Sequence, residues 1–249
     1  MARRFIVDDN DVYLDGDNIT IYGDEVHHIN VLRHKVGDKI QINEYIMKLG
    51  KVSEKEIKGV ILQKAEKLGE PKVRITLYQS YLKSDKMEFV IQKAVELGVK
   101  KIAPFISKNC VVKLDEKTKT KKKERLQKIS LEASKQCGRT DIVDVDDILN
   151  ISDKDFKTRL EKNDIVLFAY EKSTDSLQGV IGSNIKKLQE DGIKNIAVII
   201  GPEGGFDNTD LEHIFKCKNI QKISLGDRIL RAETAGIYLL SVLNYVTNI

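Results

Sequence analysis

The chain has 249 residues, of which 41% are hydrophobic and 32% charged, the balance of a soluble globular protein rather than a disordered one. Its 42 basic and 38 acidic side chains leave a net charge of +4, too small on its own to imply a polyanionic partner. No apolar run approaches the length of a membrane span. No apolar core follows Met1-Ala2-Arg3-Arg4-Phe5, so no signal peptide is expected and the chain reads as cytoplasmic.

Residues 3–7, 18–22, 39–43 and 58–63 read as short strands, separated by turn signals at Asp15-Gly16, Gly37-Asp38 and Gly50. A helix opening at Asp24 as N-cap, with Val26, Ile29 and Leu32 on one side, interrupts them. Several short strands of this kind predict a small β-barrel over residues 1–70, closed by Gly69-Glu70-Pro71.

From Lys72 the pattern changes to strand and helix in alternation. Val73, Ile75 and Leu77 alternate as a strand. Asp85 and Glu88 have the spacing of a capping box, and Gly98 stops the helix that follows. A strand is expected at 101–106, then a long basic helix with Leu126, Ile129 and Ala133 inside and Gly138 as its stop. Apolar strands at 165–170 and 196–200, helices near 176–190 and 208–217, a strand at 222–225 and a helix at 234–246 complete the chain. Such alternation predicts a mostly parallel sheet covered by helices, here over residues 71–249.

Ligands of parallel sheets bind beyond the carboxyl ends of the strands, so the loops after the strands should carry the chemistry. Three are unusual. One is Tyr170-Glu171-Lys172-Ser173-Thr174. The second, Gly201-Pro202-Glu203-Gly204-Gly205-Phe206, has glycines that permit positive φ and let a ligand reach bare backbone. It is neither a Walker A loop nor a dinucleotide fingerprint. The third runs from Gly226 to Ala235 and sets Arg228 and Arg231 beside Glu233 and Thr234, well placed to hold a phosphate or orient a base. Cys110, Cys137 and Cys217 lack metal-ligand spacing and read as reduced, mostly buried thiols, so neither a metal site nor a disulfide framework is expected. His27, His28, His34 and His213 form no motif, and Tyr78 and Tyr81 read as core.

Charge is unevenly distributed. Residues 108–128 hold nine basic and three acidic side chains, which would suit either a solvated helix face or a phosphate-binding patch. A smaller cluster joins Arg3, Arg4, Arg33, Lys35 and Lys39, whereas 141–164 is acid-rich.

The string Ile200-Gly201-Pro202-Glu203-Gly204-Gly205-Phe206, with Leu225-Gly226 and Ile229-Leu230-Arg231-Ala232-Glu233-Thr234-Ala235, resembles the RsmE family. Val31-Leu32-Arg33 with Gly37-Asp38, Lys86-Met87-Glu88 with Gln92-Lys93-Ala94-Val95-Glu96-Leu97-Gly98, and Glu132-Ala133 with Gln136-Cys137-Gly138-Arg139 also match, so the resemblance spans nearly the whole chain. These are ribosomal RNA small-subunit methyltransferases of the SPOUT class, acting on N3 of a uridine in 16S rRNA. The resemblance implies a PUA-like RNA-docking barrel at 1–70, a trefoil-knotted α/β methyltransferase domain at 71–249 and a homodimer. It implies S-adenosylmethionine held by Tyr170, Gly201, Glu203, Gly204, Gly205, Leu225, Gly226, Ile229 and Leu230. Arg231, Glu203 and Thr234 are the candidate catalytic residues. Arg3, Arg4, Arg33, Lys121, Lys122, Lys123, Arg125 and Arg139 are the candidate contacts to 16S rRNA or the assembled small subunit. Ribose 2′-O-methylation, and a non-enzymatic RNA-binding protein that keeps the fold, are the alternatives.

Overall fold

Alternate apolar residues between 3 and 64 build strands around one core. A computed structural model describes residues 3–65, 71–139, 141–189 and 192–247. It divides the chain into two units: residues 1–70 with 135–141, and 71–134 with 142–249. The end of the basic helix, from Lys135, falls in the first unit.

In the first unit, strands β1 (Arg3–Phe5), β2 (Val12–Asp15), β3 (Asn18–Ile21), β4 (Lys39–Ile42), β5 (Tyr45–Val52) and β6 (Ile57–Lys64) pair in the order β1-β4-β5-β6-β3-β2. All pairings are antiparallel except β1 with β4. Ile19, Ile21, Ile40, Ile42, Met47, Leu49 and Ile57 fill the core, and helix α1 (Asp24–Val31) adds Val26 and Ile29. Gly23, at φ 77°, is the N-cap of α1. Asp24 is its first helical residue and makes no side-chain cap bond. An acid there still favours the positive end of the helix dipole.

The second unit carries β7 (Arg74–Ser80), α2 (Ser84–Glu96), β8 (Lys101–Ile106), α3 (Glu116–Cys137), β9 (Asp144–Val145), β10 (Leu149–Asn150) and α4 (Lys154–Leu160). Then come β11 (Ile165–Ala169), α5 (Leu177–Gln189), β12 (Asn195–Ile200), α6 (Asn208–Phe215), β13 (Ile220–Ile223) and α7 (Ala232–Thr247). The sheet order is β10-β8-β7-β12-β11-β13, with β9 also beside β8, and every pairing is parallel.

Alternate residues of the strands enter two cores, one on each face. Ile75, Leu77, Ile102, Leu167 and Val198 meet α2, α5 and α7. Tyr78, Phe105, Val166, Phe168 and Ile199 meet Phe156 of α4 and Ile214 of α6. Strands buried on both faces are apolar almost throughout, which is why 165–169 and 196–200 are legible in the sequence. Helix α2 turns Met87, Val90, Ile91, Ala94 and Val95 inward at helical spacing. Burial of each of the larger side chains contributes about 1.5–3 kcal/mol. Gly98 (φ 85°) and Gly138 (φ 74°) follow their helices in the left-handed conformation, as expected of stops.

Several expectations shift. Lys83, not Asp85, is the N-cap of α2, and the Asp85–Glu88 capping box does not form. The strand expected at 222–225 lies two residues earlier, and α7 begins at Ala232 rather than Thr234. Cys110 and Cys217 are buried, but Cys137 is exposed, and none of the three is in a disulfide among the described residues. Among the described residues no helix is long and apolar enough to cross a membrane, and no group of three or more His, Cys, Asp or Glu is arranged to hold a metal.

Candidate cofactor cleft

Three neighbouring parallel strands, β12, β11 and β13, end on one side of the sheet, and their outgoing loops enclose a cleft of about 810 Å³. The cleft lies in the second unit and is lined by residues 169–171 and 173 at the end of β11, 200–206 at the end of β12 and 224–232 after β13, with Lys86 from α2 and Ala235 from α7. Backbone bonds tie the first and third loops together. Ser224 donates from its amide to the Asp175 carbonyl at 2.7 Å, and Leu177 donates to the Ser224 carbonyl at 3.1 Å.

Each glycine has its own reason. Gly205 (φ 69°) donates to the Pro202 carbonyl at 3.0 Å and closes a tight turn that few side chains would tolerate. Gly226 (φ 107°) has open space where a Cβ would stand, with no protein atom within 4 Å. Gly201 is different: its bare face is covered by the Phe206 ring, not left for a ligand. Phe206 in turn stacks on Phe105 (centroids 6.4 Å, planes 9° apart) and meets Phe168 edge-on at 5.1 Å, anchoring the loop to the core beneath.

Two outside contacts fasten the same loop. Asn109, in the segment after β8, donates from Nδ2 to the carbonyls of Gly204 (3.3 Å) and Gly205 (3.2 Å). Lys86 places Nζ 3.3 Å from Glu203 and 3.5 Å from Glu233. Just past the loop, Asp207 and Asp210 form a capping box on α6. Asp210 also accepts from the Lys108 amide at 3.1 Å, and the Lys108 ammonium lies 3.2 Å from Asp207. The Thr209 hydroxyl and amide and the Lys108 charge hold the Asp207 carboxyl down at about 2.

The cofactor residues expected from the sequence, Tyr170, Gly201, Glu203, Gly204, Gly205, Leu225, Gly226, Ile229 and Leu230, all line the cleft, as does Arg231. Thr234 does not: it is an exposed residue in the first turn of α7, so it neither caps the helix nor faces the cleft. Glu171, Ser173, Asp227 and Arg228, from the loops singled out in the sequence, also line the cleft. Lys86 is a further addition, although it opens the Lys86-Met87-Glu88 match; its partners lie 117 and 147 residues away, beyond any local pattern.

The expected RNA contacts divide. Arg3 and Arg33 are exposed, and Arg33 adopts φ 58° just after α1. Arg4 instead donates to the Gly138 carbonyl and is half-buried, and Arg139 is only 4% exposed. Neither therefore presents an exposed charge to a phosphate. On α3, Lys123 pairs with Asp147 and Arg125 with Glu88, both at 2.6 Å. Lys121 and Lys122 have no ion-pair partner among the described residues. The pairing register exposes one charge feature that the sequence hides. Lys39 and Lys48 stand directly opposite one another on β4 and β5, exposed and without an acidic partner among the described residues.

A parallel sheet with a glycine-rich cleft beyond its carboxyl ends defines an α/β ligand-binding domain. The chain belongs to the RNA methyltransferase family, whose RNA methyltransferase domain profile matches residues 69–244, and within it to the ribosomal RNA small subunit methyltransferase E proteins. It is 33% identical to the protein of that name from Bacillus subtilis, covering 100% of this chain and 98% of the relative. It is also 33% identical to the Mesomycoplasma hyopneumoniae protein, over 97% of this chain and 98% of the relative. The crystal structure of ribosomal RNA small subunit methyltransferase E from Neisseria gonorrhoeae bound to S-adenosyl methionine superposes with TM-score 0.78 at 27% identity, covering 98% of both chains.

Proposed function

We propose that this protein methylates N3 of a uridine in the 16S rRNA of the small ribosomal subunit, with S-adenosylmethionine as methyl donor. The observation that carries the reading is the cleft itself. Its volume of about 810 Å³ is within the range of small-molecule sites, and Gly226 leaves unfilled the space a side chain would take. Ile229, a large apolar residue on the rim, is 93% exposed, which suits a side chain that closes over a bound ligand.

The residues present fit the donor. The Gly204 amide and the backbone groups of Leu225 and Gly226 would read the adenine edge, and Leu225, Ile229 and Leu230 would cover its faces. Glu203 would hold the amino group with the carboxylate oxygen that Lys86 does not engage. Bound there, the donor supplies a methyl group on a sulfonium. The protein's share is to hold uracil N3 close and in line, and to stabilise the ring as it loses the N3 proton. Arg231, exposed on the cleft wall, would hold the uracil or a neighbouring phosphate.

The finer architecture is also proposed. The six-stranded sheet around one core supports a PUA-like barrel. The bonding of 224 to 175–177, with α7 then packed on α2 and β12, supports a trefoil knot. Thr234, Tyr238 and Tyr245, spaced four and seven residues apart, are exposed on one side of α7, which supports a homodimer. Arg3, Arg33, Lys39, Lys48 and Lys121, all exposed, and the half-buried Lys122 are cations available to the rRNA backbone. Action on ribosomal RNA supports a cytoplasmic location.

Calorimetric titration with S-adenosylmethionine and S-adenosylhomocysteine tests the cofactor assignment. Saturable micromolar binding is expected, and its abolition in Gly226→Val. Absence of binding by the folded wild-type protein would overturn the assignment.

A further inference from the structure

We infer that Asn109 is a positioning residue for the cofactor loop. The inference rests on the cofactor reading above and extends it to a residue outside the cleft lining. Asn109 reaches the glycine loop from another part of the chain, 95 and 96 residues earlier in sequence, and its amide bonds two consecutive carbonyls, those of Gly204 and Gly205. Carbonyls turned toward Asn109 are turned away from any ligand, so the amide fixes which backbone groups of the loop remain for the cofactor. The close approach depends on Gly204: a Cβ at that position would stand 3.3 Å from the Asn109 Cβ, tighter than side chains ordinarily pack. Asn109 is exposed, and the chain on either side of it is anchored. On one side the Lys108 amide bonds Asp210 of the α6 capping box, and on the other Cys110 Sγ lies 3.0 Å from the buried Ser80 hydroxyl. A loop rich in glycine has much conformational freedom to lose on binding, and a side chain from an anchored segment that bridges two of its carbonyls removes part of that freedom in advance.

The chemistry gives a test that size alone would fail. Asn109→Asp keeps the shape but replaces a donor with an acceptor-only carboxylate that faces two carbonyl oxygens. Asn109→Ala merely deletes the bonds. Affinity for S-adenosylmethionine, measured by calorimetry, should fall about three- to tenfold in Asn109→Ala and further in Asn109→Asp. In methylation assays KM for the cofactor should rise by a similar factor, with kcat at saturating cofactor changed less. Asn109→Asp binding as tightly as wild type, or Asn109→Ala binding within about twofold of it, would overturn the assignment. If Asn109→Asp does not fold, the Ala variant decides alone. Failure of the wild-type protein to bind S-adenosylmethionine would instead overturn the cofactor reading, and this inference with it.

Discussion

The ring of Phe206 occupies the space that a side chain on Gly201 would need: a Cβ there would stand 2.6 Å from Phe206 Cε2. The glycine that opens the cofactor loop is thus required by packing beneath the loop, not by a ligand above it. Gly201→Ala should cost about 1–3 kcal/mol in denaturant unfolding, the scale of overpacking, and weaken S-adenosylmethionine binding as Phe206 shifts. Gly201→Ala combined with Phe206→Leu should recover part of both. Unchanged stability in the single variant would show that the ring moves freely and that Gly201 is not needed for packing.

Lys86 joins two walls of the cleft, through Glu203 on the β12 loop and Glu233 at the start of α7. One Glu233 oxygen is buried with no hydrogen-bond partner among the described residues, so removing Lys86 would leave that carboxylate poorly compensated. The lysine is partly exposed, and Lys86→Ala should therefore lower global stability by only about 1 kcal/mol or less. Cofactor affinity should fall severalfold, and Lys86→Arg should restore most of it. Equal affinity in wild type and Lys86→Ala would remove Lys86 from the cofactor site.

Acid should loosen the start of α6. The Asp207 carboxyl is held at about 2, first by the Thr209 hydroxyl, then by the Thr209 amide and Lys108, against an ordinary value of 3.8. A carboxyl lowered on folding adds stability above its unfolded value, and that contribution disappears as pH falls from about 4 through about 2. Thr209→Val removes the largest cause, so the Asp207 titration, followed by NMR, should move up toward 3.8. A midpoint still near 2 in this variant would show that the hydroxyl is not the main cause.

Lys39 and Lys48 set stability against RNA affinity. Like charges directly opposite on neighbouring strands are destabilising, so Lys48→Glu should raise stability by about 0.2–1 kcal/mol. The same change should weaken rRNA binding and lessen its log-log salt slope by about one for each phosphate the variant no longer neutralises. Arg139→Gln, at a buried position, should leave the salt slope unchanged if the protein folds. An unaltered slope in Lys48→Glu would remove this pair from the RNA surface.

The cleft is more legible in the sequence than the barrel, for physical reasons. The strands feeding the cleft are buried on both faces and read as plain apolar runs, and the glycines after them break those runs sharply. Strand β5 escapes notice because Gly50 reads as a turn. In the structure Gly50 sits at a bulge, where the β5–β6 register shifts between Leu49 and Lys51, and an extra residue is accommodated without ending the strand. Helix α4 is seven residues long, too short to show a period of its own. The caps differ from expectation by one or two positions because an aspartate serves equally well as a cap or in the first helical turn, and Gly23 and Lys83 hold the cap positions. The basic run over 108–128 does not reveal which cations are already paired, since Glu88 and Asp147 reach Arg125 and Lys123 only through tertiary packing. The reach of Asn109 and Lys86 across the fold is invisible for the same reason.

The position of the transferred methyl group decides between the enzymatic readings most directly. Small ribosomal subunits lacking the modification, incubated with the protein and S-adenosylmethionine, would be digested and their nucleosides separated. The expected product is 3-methyluridine from 16S rRNA, absent with Gly226→Val and reduced with Arg231→Ala. A 2′-O-methylated nucleoside in its place, or no methylated nucleoside from a protein that binds the cofactor, would contradict uracil N3 as the acceptor.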